Sequence, residues 1–234
     1  MTTETALSIN DLRFTWPGAV GFGLSVDAFT LPRGERTLLL GASGSGKSTL
    51  LSLICGIAAP SAGKIEVDGT DIARLSRRRR DRFRAENIGI VFQQFNLLPY
   101  ATALDNALLP LRFAPKRRAR IDDEQAEALR VAAALGLDKA QMTSGSAGSL
   151  SVGQQQRVAV VRALIGAPGL IVADEPTSAL DASAQAAFLD TLFTHVDAAG
   201  ASLLMVSHDE RLADRFDRTI RLEDIAGITK ATAA

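Results

Sequence analysis

Short apolar runs alternate with stretches of helical spacing along the chain, and Gly, Pro, Asp or Ser separates one from the next. That alternation predicts an α/β fold with a mainly parallel sheet. Thr37–Leu40 follows the turn-like Pro32-Arg33-Gly34 and reads as a strand; Lys47–Cys55 then reads as a helix closed by Gly56. Lys64–Val67 runs into Asp68-Gly69, a hairpin signal, so an antiparallel β subdomain should accompany the parallel part. Ile88–Phe92, Leu170–Ala173 and Ser202–Val206 have the composition of buried strands, and each ends in polar residues. From Gln94 to Ile165 the spacing turns helical: Asp122 with Gln125 makes a capping-box start, and Leu129, Ala132 and Ala133 share a face before Gly136. The expected organisation is one domain, with a core lobe of 1–93 and 166–234 and a helical lobe inserted at 94–165.

Composition narrows the class. The chain has 234 residues, 47% of them hydrophobic, enough for one sizeable core. Its formal net charge is zero, so no overall field favours nucleic acid, and none is expected as a partner. No apolar run approaches the ~18 residues that a spanning helix needs; Leu50–Ala59 is interrupted by Ser52 and Gly56 and stops at Pro60. Met1–Asn10 has no basic start followed by an apolar block, so no signal peptide is expected. Cys55 is the one cysteine, which excludes an internal disulfide and suits a reducing cytosol; its apolar helical setting suggests a buried bystander. A soluble protein is the expectation.

Two basic clusters stand out. Arg74, Arg77–Arg80, Arg82 and Arg84 read either as a solvated helix face or as a contact for anionic lipid head groups. Lys116, Arg117, Arg118 and Arg120 read as solubilising loop charges.

The chemistry concentrates in a few segments. Gly41-Ala42-Ser43-Gly44-Ser45-Gly46-Lys47-Ser48, followed by Thr49, fits G-x-x-x-x-G-K-[ST] and lies between a predicted strand and a predicted helix. Glycines let the backbone curl so that successive N–H groups converge on phosphate oxygens, and the helix N-terminus adds its partial positive charge. Lys47 would reach the outer phosphates, and Ser48 would hold Mg²⁺ through its hydroxyl. The apolar run Leu170–Ala173 ends in Asp174-Glu175, at the carboxyl end of the sheet where ligands of open α/β folds collect. Successive strand side chains point in opposite directions, so the two carboxylates serve different ends: Asp174 the metal and Glu175 the attacking water.

With these segments in place, the chain resembles the ATP-binding cassette (ABC) ATPases from about Ile9 to Leu222. The diagnostic piece is Leu150-Ser151-Val152-Gly153-Gln154-Gln155-Gln156-Arg157, similar to the family's L-S-G-G-Q signature followed by Q-Q-R, just upstream of the Asp174-Glu175 strand. Ser151 opens a predicted helix on which Val158, Val161 and Ile165 face inward, leaving its first N–H groups for an anion; Ser151 and Gln154 also fit a self-satisfied capping box. The resemblance implies a phosphate-loop NTPase core with an antiparallel β subdomain and an inserted helical lobe. It also implies ATP and Mg²⁺ as ligands, with Ser151, Gly153 and Gln154 facing the nucleotide of a second copy. Trp16, in Phe14-Thr15-Trp16-Pro17, takes the place of the aromatic that stacks on adenine, or is a core residue. Gln93 matches the loop glutamine that senses Mg²⁺, water and the membrane subunit. Asp181, in Ser178-Ala179-Leu180-Asp181, matches the loop linking the two sites of a dimer, or caps a helix. His208 matches the histidine that contacts the γ-phosphate, whereas His195 reads as ordinary helix.

Two departures from the family pattern are visible. Val152 replaces the first glycine of the signature, adding a branched side chain where close approach is wanted, and a slower site is expected. Arg218–Glu223 runs into Asp224-Ile225-Ala226-Gly227 without the usual tight Asp-Gly turn, and no regulatory domain is expected after it. A cassette without a spanning helix must pass its motion to a separately encoded permease, with the contact expected near Gln93–Tyr100. The protein would then lie at the cytoplasmic face of the inner membrane, peripheral through that partner.

Ile90–Pro99 resembles the lipoprotein-releasing, macrolide-exporter and cell-division group, while Glu175-Pro176-Thr177-Ser178-Ala179-Leu180-Asp181 looks like amino-acid importers. A soluble, non-transport cassette and a phosphate-loop kinase are the competing classes. The single phosphate loop and the lack of Cys pairs disfavour the first, and the Leu150–Arg157 segment disfavours the second.

Overall fold

The structure, a computed structural model, describes residues 4–16, 22–178 and 180–230. Pro17, beside Trp16, and Ala179, in the Ser178–Asp181 segment, lie outside the described residues, as does the start of the Met1–Asn10 stretch. The chain opens with β1 (Thr5–Thr15), β2 (Phe22–Pro32) and β3 (Arg36–Leu40), then α1 (Lys47–Ile54), β4 (Ala62–Val67), β5 (Thr70–Asp71) and α2 (Arg77–Asn87). β6 (Ile88–Val91) leads into a helical run of α3 (Ala103–Leu108), α4 (Pro115–Arg118), α5 (Glu124–Ala134), α6 (Lys139–Thr143) and α7 (Val152–Leu164). Then come β7 (Leu170–Asp174), α8 (Ala182–Ala198), β8 (Ser202–Ser207), β9 (Arg218–Arg221), α9 (Leu222–Ile225) and β10 (Ala226–Lys230). These pack into two compact units: residues up to Arg84 together with those from Ser202 onward, and Ala85–Ala201.

The first unit holds an antiparallel sheet in the order β10-β2-β1-β4-β5. Alternation along β1 buries Leu7, Ile9, Leu12 and Phe14, with Ile9 facing Phe29 of β2 and Ile65 of β4. The predicted hairpin joins β4 to β5 with Asp68 and Gly69 both at positive φ, 47° and 72°, the pairing of angles that matches the strand twist. The same unit holds three parallel strands, with β3 hydrogen-bonded to β8 on one side and β9 on the other. β3 is apolar on both faces: Leu38 and Leu39 have no solvent exposure at all, as expected of a strand covered on both sides.

In the second unit β6 and β7 run parallel, Ile90 opposite Val172, and α7 packs on β6. Val158, Val161 and Ile165 are fully buried, as the spacing of this helix predicts. Gly89 is required by that packing, because a β-carbon there would lie 2.2 Å from the carbonyl oxygen of Ala163.

Three expectations need correction here. Asp123, not Asp122, caps α5, its carboxylate accepting from the amides of Gln125 and Ala126. The buried face of α5 is accordingly Ala128, Val131 and Ala132, while Ala133 faces solvent. Arg117 is no solubilising loop charge: it is 1% exposed. Its guanidinium donates to the carbonyls of Ala85, Ala163 and Ile165, and the Glu86 carboxylate accepts from the backbone amides of Lys116 and Arg117. Arg120 likewise donates to the carbonyls of Gly166 and Ala167. Burial, with neighbouring Arg120, pulls the Arg117 guanidinium down to about 10 against the pull of Glu86, so it stays charged at neutral pH.

Candidate functional site

The two units contribute different groups. In the first, β3 ends at Leu40 and the loop 41–46 turns into α1. Gly44 and Gly46 adopt positive φ, 74° and 91°, conformations that cost a side-chain-bearing residue a steric penalty. Gly46 caps α1 with no side-chain hydrogen bond, so no side chain of the loop occupies the first amides of the helix. Lys47 is 5% exposed, and its ammonium folds back onto the carbonyls of Gly41 and Ala42 at 2.8 and 3.0 Å. The hydroxyl of Ser45 is buried without a hydrogen-bond partner. An orphaned buried hydroxyl, an uncapped helix start and an ammonium on the loop make a concave cradle of donors, which fits a polyphosphate.

His208 belongs to the same unit. β8 runs beside β3, Leu40 opposite Ser207, and the amide of Gly41 donates to the carbonyl of Ser207 at 3.2 Å. The histidine therefore emerges, exposed, from the carboxyl end of the strand adjacent to the loop. Trp16 also lies close: its indole N–H donates to the Thr49 hydroxyl at 3.3 Å, and Phe14 packs edge-on at 4.9 Å between ring centres. With 40% of its surface exposed, Trp16 is not a core residue; its ring is held beside the first turn of α1.

The second unit carries Gln93, the Leu150–Arg157 segment, Asp174, Glu175 and Asp181. Asp174 ends β7, and Glu175 follows with φ at 43°, a left-handed conformation that costs about 1 kcal/mol for a residue with a β-carbon. Buried Gln156 of α7 anchors that turn through Nε2 to the carbonyl of Pro176, and Gln185 of α8 donates to the Thr177 hydroxyl at 3.1 Å. Gln93 is exposed, two residues past the end of β6 and next to Phe92.

At the signature the capping box wins over open amides. Ser151 Oγ accepts from the Gln154 amide at 3.3 Å, and Gln154 Oε1 accepts from the Ser151 amide at 2.8 Å. Each side chain is thus engaged with the other residue's backbone amide in the single chain, and a ligand reaching them must displace or share those bonds. Val152 is 56% exposed, and a β-carbon on Gly153 would meet no atom within 4 Å. Asp181 caps α8 through the Ala184 amide at 2.8 Å. His195 is ordinary helix, as expected, its Nδ1 donating to the Thr191 carbonyl at 2.8 Å.

Phosphate loop, strand-end carboxylates and an exposed strand-end histidine together define a nucleotide-hydrolysing α/β protein. The family described as ABC transporter matches residues 24–178. A lipoprotein-releasing system ATP-binding protein LolD of Anaeromyxobacter dehalogenans is 45% identical over 195 residues, covering 83% of this chain and 80% of that one. A macrolide export ATP-binding/permease protein MacB of Rhodopirellula baltica is 39% identical over 210 residues, covering 89% of this chain but 29% of that larger one. Among solved structures, the ATP-binding cassette MJ0796, a dimer in a post-hydrolysis state bound to ADP and Pi, superposes with a TM-score of 0.78 at 29% identity, covering 97% and 100% of the two chains. The chain belongs to the ABC transporter family, as an ATP-binding and ATP-hydrolysing subunit of the lipoprotein-releasing and macrolide group. The resemblance of Ile90–Pro99 to that group is thereby borne out.

Proposed function

We propose that two copies of this chain close around two ATP molecules and reopen on hydrolysis, driving a separately encoded permease at the cytoplasmic face of the inner membrane. The observation that carries this reading is the loop 41–48, with its uncapped helix start, inward Lys47 and adjoining Trp16 and His208. Trp16 stacks on the adenine; the loop amides and Lys47 hold the phosphates. Glu175 orients the attacking water and takes its proton, while Lys47 and His208 stabilise charge that develops on the γ-phosphoryl oxygens. The Ser48 hydroxyl, the Asp174 carboxylate and the Gln93 side-chain carbonyl are all hard oxygen donors, the set that suits Mg²⁺ rather than a softer metal. Bound there, Mg²⁺ would neutralise phosphate charge.

Ser151, Gly153 and Gln154 face the second copy's nucleotide, and Asp181 lies at the link between the two sites, which makes the contact isologous. The relatives' names support a membrane permease as partner, and the dimeric cassette supports self-association. Exposed Tyr100, just past the Gln93 loop, suits a permease contact.

Glu175→Gln tests the reading. It should retain ATP binding, lower kcat at least about 100-fold, and shift the chain to a dimer on sizing columns when ATP is present. A variant that binds ATP yet stays monomeric, also with the permease added, removes the closed-dimer mechanism.

A further inference from the structure

One buried cation in the second unit has no place in the phosphate chemistry. Arg162, on the last turn of α7, is 8% exposed. Its guanidinium donates through one terminal nitrogen to the carbonyl of Asn96, at 2.7 Å, and through the other to the carbonyl of Phe95. These carbonyls belong to the loop that begins at Gln93. Successive carbonyls of an extended chain point in opposite directions, so one planar fork cannot take both. Here Phe95 and Asn96 adopt φ of 53° and 49°, a left-handed helical turn that aligns the two carbonyls. The loop is bent into an unfavourable conformation that matches the arginine.

Its far end is fastened as well. Fully buried Asn106 of α3 accepts from the Leu98 amide at 2.7 Å and donates to the Leu98 carbonyl at 3.1 Å. Within β6, the strand that feeds the loop, Gly89 lies directly against the backbone of Ala163, the residue after Arg162.

We infer that Arg162 is a positioning residue that locks the Gln93 loop onto the signature helix, so that loop and helix move as one piece. α7 spans 13 residues, about 20 Å at its rise per residue. Its first turn carries Ser151 and Gly153, and its last turn holds the loop that presents Gln93. A displacement imposed on the loop by a permease is thereby delivered to the opposite end of the helix, where the second copy's nucleotide binds. The inference rests on the proposed roles of Gln93 and the signature.

The test has two arms on the full-length chain. Arg162→Lys keeps the charge but cannot bridge two carbonyls in the same fork, so amides 94–98 should exchange hydrogen about ten-fold faster while those of β7 do not change. Unchanged exchange at 94–98 overturns the inference. In steady-state ATP hydrolysis, Arg162→Met should lower kcat about ten-fold with KM for ATP held within two-fold, and should cost nothing further when Gln93 is already Ala. An equal loss in both backgrounds marks a merely structural role and overturns it too. If Arg162→Met does not fold, Arg162→Lys enters the same cycle. A wild-type chain that hydrolyses no ATP would remove the proposed function, yet the exchange arm would still decide whether Arg162 holds the loop.

Discussion

Gly89 sets the tightest tolerance in the second unit. A methyl group there would lie 2.2 Å from the Ala163 carbonyl oxygen and 2.6 Å from Cδ1 of Ile171, and neither β6 nor α7 can withdraw without opening the core around fully buried Val161. Gly89→Ala should destabilise the protein by about 2 kcal/mol or more, in the range of overpacked cores, measured as a fall in the urea midpoint at unchanged slope. A change under about 0.5 kcal/mol, the scale of a surface substitution, would show that the helix is not seated as described. Arg117 and Arg162 are equally particular, but their partners are main-chain carbonyls. A sequence gives no sign of which carbonyl will be left over at a helix end 46 residues away, as for Arg117 and Ala163. Hence a run of four cations within five residues, Lys116 to Arg120, reads as solvent-facing when one member is the most deeply buried charge in its unit.

At the scale of elements, the parallel strands of the first unit are joined by a directed ion pair. Arg36, at the start of β3, donates to both carboxylate oxygens of Asp217 at 2.8 and 3.0 Å, and its backbone amide donates to the same group at 2.9 Å, just before β9. The Arg36 hydrogen bonds hold the Asp217 carboxyl below its ordinary value, outweighing a partial desolvation. A depressed carboxyl stabilises the fold above the unfolded value near 4 and loses that contribution as pH falls through its folded value. Asp217→Asn should therefore cost about 0.5–1 kcal/mol at pH 7, the upper range for a half-exposed bidentate pair, and the difference should shrink towards pH 3. A gap that stays constant from pH 7 to pH 3 would show that the carboxylate charge plays no part.

Elements that are continuously apolar, or that carry one periodic apolar face, were legible: β3, β7 and β8 follow from their unbroken apolar runs, and α1 and the inner face of α7 from their helical spacing. α5 was displaced by one residue because two adjacent aspartates offer the same cap, and only the packed face selects between them. β10 was invisible, since Ala226-Gly227-Ile228-Thr229-Lys230 has one large apolar residue and acquires its conformation from β2 rather than from its own pattern.

For the molecule as a whole, zero net charge conceals a local excess. Arg77, Arg78, Arg79 and Arg82 of α2 are exposed, whereas Arg80 packs on Gly56 and donates to the Leu75 carbonyl, and Arg84 pairs with Asp81. We propose that the exposed row meets anionic lipid head groups. Replacing Arg77, Arg78, Arg79 and Arg82 with Gln should weaken binding to vesicles containing an anionic phospholipid at least about ten-fold in low salt, at roughly 1 kcal/mol per cation near the surface, and added salt should erase the difference. Equal binding of both proteins would discard the contact. The candidate site was legible further than the fold, because phosphate loop, signature and strand-end carboxylates are each contiguous in sequence. What stayed hidden was the bracing behind them: Gln156 under the Glu175 turn and Arg162 under the Gln93 loop act across distances that no local spacing encodes.

β10 carries a practical consequence. It is the outermost strand of its sheet and covers β2 from Phe22 to Val26, so the sheet ends there in a five-residue strand rather than in the start of the eleven-residue β2, and short edges offer less purchase to another chain. A shortened version ending near Leu222, tempting because every proposed nucleotide-facing group would survive, would swap that short border for the full length of β2 and should clump more readily.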